Sequence, residues 1–374
     1  MFKHNDLIWH NRSMRDKLGY YLVGNRKFYN KVAAILEFQK THHFPKYVFN
    51  DDVFARYNKC GPIEANIFDL YKERAKQLRD KYDTIVLSFS GGSDSLTILN
   101  AFIEAKVPVD ILLLIHADSL ETSMPDNIKK TYKEIYGYAI PYIDNIDTTT
   151  LDSIGNPKVI SYDMTKAISE GFFSRYGKGW SEEQNSLDPT VYYMTTPFLY
   201  DPTLKSLVMD NDKDSWCFIR GGEKPFVDIS DATSYFIDEK YKDHTHWPNC
   251  ELFFTTPDMP EIHIKQEQLL FDNIKDKSNA NFDLTSLQNK DIRDSVPSKA
   301  DFWPKELVKD MEILSLKSNS IKNYIMDTFP GNLDIWKDEV KRINDSLDKR
   351  WFDNKESING GIVGIKSRGY RFNG

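Results

Sequence analysis

Cysteine is scarce in this chain of 374 residues: Cys60, Cys217 and Cys250 stand far apart, and no Cys-x-x-Cys occurs. That removes the spacing signals of a zinc ribbon and of a redox pair. Long apolar runs are missing as well. None approaches the ~18 residues that a membrane-crossing helix needs. The opening Met1-Phe2-Lys3-His4-Asn5-Asp6 leads into polar sequence, so no signal peptide and a cytoplasmic location are expected. Nor is there an excess of positive charge. Lys plus Arg number 49 and Asp plus Glu 56, a balance of −7. This argues against broad nucleic-acid or membrane binding and leaves room only for a local basic patch. Internal repeats and low-complexity tracts are absent too.

What is present is a loop. Asp83-Thr84-Ile85-Val86-Leu87-Ser88-Phe89 reads as a buried strand, Leu96-Thr97-Ile98-Leu99-Asn100-Ala101-Phe102-Ile103 as a helix, and between them lies Ser90-Gly91-Gly92-Ser93-Asp94-Ser95. Strand, small-residue loop and helix together turn backbone N–H groups and a helix N-terminus toward a phosphate. The adjacent glycines allow a sharp turn and close approach of a ligand, where a Cβ would clash. Ser90, Ser93 and Ser95 add hydroxyls. Asp94 is the exception: a carboxylate repels bare phosphate, so it belongs there as a Mg²⁺ ligand or as a capping acceptor. No Lys follows the glycines, which excludes a Walker A loop, and the spacing is not Gly-x-Gly-x-x-Gly.

These residues resemble the PP-loop of the N-type ATP pyrophosphatases, the superfamily of the synthetase domains of asparagine synthetase and GMP synthetase, of NAD and argininosuccinate synthetases and of tRNA-modifying ligases and thiolases. All six positions of Ser-Gly-Gly-x-Asp-Ser match, in the right strand–loop–helix context, and the resemblance covers residues 64 to 225. It implies a doubly wound α/β sheet of the adenine nucleotide alpha hydrolase type, Rossmann-like, binding ATP and Mg²⁺. Ser88, Ser90, Gly91, Gly92, Ser93, Asp94 and Ser95 would hold the departing pyrophosphate, with Asp94 on the metal. The main chain at Ile115 and His116, after the second strand, would read adenine. Cysteine scarcity then argues within the family against deazaguanine and sulfur chemistry, whose members carry cysteine-rich sites. Position 2 is Phe2 rather than a nucleophilic cysteine, and the N-terminal segment is too short for a fused glutaminase. Nitrogen would come as ammonia or an amine.

A second loop ends a later strand: Ser215-Trp216-Cys217-Phe218-Ile219-Arg220, then Gly221-Gly222-Glu223-Lys224. It is similar to the Gly-Gly-Asp-Glu loop that faces the PP-loop in the asparagine-synthetase branch, but Lys224 replaces the second carboxylate. Glu223 would join Asp94 on Mg²⁺, and Arg220 or Lys224 would neutralise phosphate charge. Lys265, on a helix expected from Glu261, is a further candidate to reach a substrate carboxylate or phosphate, as are Lys366, Arg368 and Arg371 near the glycine-rich ending.

Around these motifs the pattern alternates. An amphipathic helix spans 64–81. Near-continuous apolar runs at 108–116, 158–162 and 215–220 read as buried parallel strands, with helices at 126–138 and 165–172. Residues 173–214 read as a lid or substrate loop. Residues 31–38 read as a helix in an N-terminal helical extension, 1–63. After the ATP domain, 64–230, helices at 261–275, 304–316 and 333–350 suggest a helical substrate domain, 231–374.

The expectation is an adenylate-forming ligase. It would take a small molecule with an activatable oxygen and an ammonia or amine donor, act without a membrane and without nucleic acid, and release AMP and pyrophosphate. A homo-oligomer remains open. The alternatives are a nucleoside- or tRNA-modifying member of the same superfamily, or a catalytically silent nucleotide-binding protein.

Overall fold

The computed structural model describes residues 16–57, 62–116, 135–163, 197–209, 215–221, 226–228, 233–236, 249–278, 338, 341–342, 345, 365 and 367–371. At its centre is a parallel sheet. Its strands are β4 (Thr84–Ser88), β5 (Ile111–His116), β6 (Lys158–Asp163), β7 (Trp216–Ile219) and β10 (Cys250–Glu251), in the spatial order β10-β7-β4-β5-β6. Successive strands run outward from β4 in one direction and then resume on its other side at β7. That reversal makes the sheet doubly wound.

The apolar runs sort by alternation, because successive side chains leave a strand on opposite faces. Ile85 and Leu87, Leu112 and Leu114, and Cys217 and Ile219 join one cluster. Val86, Ile111, Leu113, Ile160, Trp216 and Phe218 join the other. Helix α3 (Ile67–Lys81) and helix α4 (Ser93–Ala105) pack together over the first face. The turns of α5 (Ile140–Asn145) lie there too, with Ile140, Tyr142 and Ile143 against that core, and α6 (Thr148–Ser153) leads to Ile154 in the same cluster. The short helix α7 (Pro197–Tyr200) and α8 (Pro202–Met209) supply Phe198 and Leu204 to the second. Both faces are therefore covered, as an all-parallel sheet requires.

Helix α3 starts at Ile67 rather than Glu64 because the Asn66 side chain caps it, accepting from Phe68 N at 2.8 Å. Helix α4 starts three residues before the expected Leu96, so Ser93, Asp94 and Ser95 form its first turn. The expected strands at 84–88, 111–116, 158–163 and 216–219 are in place. The expected helices at 165–172 and 304–316 lie outside the described residues. Of that at 126–138, residues 135–138 are described, in a π-helical turn leading into α5. The expected loop 173–214 ends in α7 and α8.

The flanks carry more strand than expected. The N-terminal addition has its helix, α1 (Lys31–Thr41), but sets it against a three-stranded antiparallel sheet of β1 (Tyr20–Val23), β2 (Arg26–Phe28) and β3 (Lys46–Val48), followed by α2 (Asp51–Tyr57). Beyond residue 230, Cys250–Glu251 is the edge strand of the central sheet, and α9 (Pro260–Ser278) packs on α3 and α2. A further sheet, in the order β11-β9-β8, unites β8 (Phe226–Asp228), β9 (Thr233–Tyr235) and β11 (Tyr370–Arg371). Among the described residues no helix is long and apolar enough to cross a membrane.

Candidate functional site

The Ser90–Ser95 loop leaves the C-terminal end of β4, beside β7, where the winding of the sheet reverses. In open α/β sheets that crevice is where ligands bind. Phe89 N still donates to Leu113 O at 2.9 Å, so the strand stays pinned up to the loop's first residue. The chain then turns at Gly91, whose φ of +79° is costly for a residue with a Cβ. Gly92 is the N-cap of α4 and has no side chain to fill the space before the helix, so no side chain caps the first turn there.

The Ser90 and Ser95 hydroxyls look inward. Ser95 Oγ accepts from Ser90 N at 3.3 Å and donates to Gly92 O at 3.1 Å, while Ser90 Oγ accepts from Gly92 N at 3.3 Å. Ser90 and Ser95 thus serve as staples of the cup, a role the sequence reading did not give them. Asp94, half-buried in the first turn, stands where a carboxylate also interacts favourably with the helix dipole.

The second loop approaches the first. A Cβ built on Gly221 would lie 3.0 Å from Asp94 Cβ and 3.3 Å from Asp94 C. Only glycine lets the end of β7 press so closely on the turn that carries Asp94. Arg220 is half-buried beside it. Gly222, Glu223 and Lys224 lie outside the described residues. Ser88 ends β4 half-buried, and Ile115 and His116 end the neighbouring β5. Their placement at the strand ends puts these residues on the same rim of the sheet as the loop.

Two candidates have other engagements. His116 is buried, and its Nε2 lies 2.7 Å from Ser161 Oγ on β6, with Tyr136 against its ring. Its side chain therefore braces β5 to β6. Lys265, expected to reach a substrate anion, instead donates to Ile63 O at 2.7 Å and ties α9 to the segment before α3. Lys366 is outside the described residues. Arg368 is exposed, 5.5 Å from the Tyr370 ring.

Sequence reading missed a charged cluster on the α3 side of the sheet. Glu251, 2% exposed, receives Arg74 at 3.0 Å and Lys81 at 2.6 Å, with the Tyr82 hydroxyl donating to it and Lys17 at 3.8 Å. Arg74 is fully buried and also donates to Leu252 O at 2.7 Å. Burial alone would raise the Glu251 pKa. The charges of Arg74, Lys17 and Lys81 outweigh it and pull the carboxyl down to about 2. The one signal for it was an acid inside the apolar run 250–254.

A cleft of about 510 Å³ lies along the flank of α4, lined by Asn100, Ile103, Tyr138, Tyr142, Asn145 and Asp147 among others, with no residue of the Ser90–Ser95 loop in its wall. Tyr142 Oη donates to Asn100 Oδ1 at 2.8 Å across it. No group of three His, Cys, Asp or Glu side chains gathers to hold a metal ion among the described residues. No family model matches the chain, and no curated protein or solved structure matches it either.

Proposed function

We propose that the Ser90–Ser95 cup receives the pyrophosphate end of ATP and that the protein is an adenylate-forming ligase of the PP-loop kind. The reading is carried by one observation: a glycine-turned loop, opening a helix with no capping side chain, sits at the reversal point of the sheet with the end of β7 pressed against Asp94. The N–H groups of a helix's first turn and the positive end of its dipole favour phosphate.

The residues suit Mg²⁺, which keeps several waters and is commonly bound by one or two carboxylates together with substrate phosphates. Asp94 would supply the carboxylate, with Glu223 a second candidate. Bound there, the ion supplies charge that offsets the build-up on the leaving group. The remaining work falls to the chain. The loop orients the triphosphate so that a substrate oxygen attacks the α-phosphorus while pyrophosphate departs into the cup. Arg220 and Lys224 stand as cations for phosphate charge. An ammonia or amine nucleophile then attacks the carbon that bears the activated oxygen, forming the C–N bond, and AMP leaves with that oxygen. Positioning and charge stabilisation suffice for such chemistry, which agrees with the structural duties of His116 and Lys265.

The tie of Lys265 to Ile63 O favours a second reading, a nucleotide binder without turnover, because it removes one side chain from the candidate chemistry. Incubation with labelled ATP, Mg²⁺ and a panel of carboxylates and amides, with ammonium present, separates the two. AMP and pyrophosphate are the expected products. ATP bound but unchanged supports the silent binder. ADP, or no ATP binding, overturns the proposal.

A further inference from the structure

The segment 365–371 lies far along the chain from the cup, yet two of its residues are deeply embedded. Tyr370 is 1% exposed and Ile365 8%. The Tyr370 ring sits 6.1 Å from Phe54 and 5.7 Å from Phe236, and its hydroxyl donates to Asp51 Oδ1 at 2.7 Å. Phe236 in turn packs at 4.5 Å on Phe49 and 4.8 Å on His263, whose Nε2 is 2.8 Å from Glu267 Oε1. One tyrosine thus touches α2 of the N-terminal addition and the residue that ends the β8–β9 hairpin, over a nest floored by α9.

The backbone repeats the pattern. Ser367 N donates to Phe236 O at 2.8 Å, Phe236 N donates to Ser367 Oγ at 3.0 Å, and β11 pairs with β9 through Tyr370–Ser234 and Arg371–Thr233. The strands it steadies are short. β8 and β9 have three residues each, and an isolated two-stranded hairpin is marginal in water. That hairpin begins at Phe226, five positions after Gly221, the residue that abuts Asp94.

We propose that residues 365–371 are a strap that completes the β8–β9 sheet and thereby fixes the exit of β7 beside the nucleotide cup. The surface that accepts it is the edge of β9 together with the Phe54–Phe236 nest, and its occupant is this chain's own strand. The strap rests on the nucleotide reading only in what the cup binds; hydrogen exchange can be followed with no nucleotide present.

The test uses the full chain. In Tyr370→Ala, amides of 226–236 are expected to exchange at least about tenfold faster while those of β4, β5 and α4 keep their protection. Mg·ATP affinity is expected to fall with them, and a synthetic peptide of residues 362–373 to restore both. Unchanged exchange at 226–236, loss of protection spread evenly over the central sheet, or unchanged ATP affinity overturns the strap. Should Tyr370→Ala not fold, Tyr370→Phe removes the donor of the hydroxyl bond and Asp51→Ala its acceptor, and each is expected to speed the same amides roughly threefold. No change in either overturns the proposal. A wild-type chain that binds no ATP would overturn the proposed function instead, leaving the exchange data to decide the strap.

Discussion

Two polar clusters flank the central sheet, and they are built on opposite plans. Around Glu251, long charged side chains converge until the carboxylate is surrounded by Arg74, Lys81, Lys17 and Tyr82. Around Asp94 the neighbours are glycines and serines, and the Ser90 and Ser95 hydroxyls spend their bonds on the loop itself. The first cluster has the greater charge, yet it is closed on the chain's own side chains. The second has little charge, and its close turns depend on glycine at Gly91 and Gly221. Charge density marks the structural knot here, and economy of side chains marks the candidate site.

The comparison breaks most visibly if Glu251 is altered. Removing one member of a buried ion pair leaves the others uncompensated and costs about 3–5 kcal/mol. Glu251→Gln should lose stability of that order in urea unfolding, with the loop's ligand affinity unchanged in the fraction that folds. The pH dependence follows in sign. The folded carboxyl is held at about 2 against an ordinary 4.5, so its contribution is complete above 4.5 and is lost as pH falls toward 2. The acid limb of the wild-type stability curve should therefore flatten in Glu251→Gln. A variant as stable as wild type would show that the knot holds nothing together.

Asp94→Ala should do the converse. AMP formation is expected to drop by about 10²–10³-fold, while the melting temperature stays near that of the wild type. Turnover at the wild-type rate would remove Asp94 from the chemistry.

Gly221→Ala probes the contact between the two loops. Its new Cβ meets Asp94 Cβ at 3.0 Å and Ile98 Cδ1 at 3.1 Å, so the first turn of α4 must shift by a few tenths of an ångström. Roughly tenfold lower AMP formation is expected, since small misplacements of a catalytic group are costly. Adding Ile98→Val relieves one of the two clashes and should recover stability more than activity. Equal recovery of both would make Gly221 a packing residue alone.

Lys265→Ala sets the lower bound. Losing its bond to Ile63 O should cost about 1.5 kcal/mol in stability and leave AMP formation unchanged. A hundredfold fall in turnover without unfolding would return Lys265 to the site.

The parts of this molecule that could be read from the sequence are those set by local rules. Alternation along 84–88, 111–116 and 216–219 fixes which side chains face which layer, and two glycines between strand and helix mark the cup. Long-range partners left weaker traces. Arg74 resembles any charged position on the amphipathic helix 64–81, and Glu251 and Leu252 O, some 177 and 178 positions away, explain its burial. β10 is two residues long, too brief for any periodicity. β8 and β9 have three residues each and β11 two, and β11 comes to β9 from distant chain. Lys265, the site candidate that moved, found a partner before α3 that spacing does not reveal.

The brevity of β10 carries a consequence for how copies of this protein meet. The free margin of a sheet invites a neighbour's backbone to dock, and short strands with charge turned inward discourage it. On that margin stand just Cys250 and Glu251, the latter drawn under the helices by its cations. The opposite border, β6, opens with Lys158, whose ammonium is tethered to Thr203 on α8. Crowded solutions of the folded chain should accordingly resist edge-to-edge stacking, and Glu251→Gln should forfeit some of that resistance along with its stability.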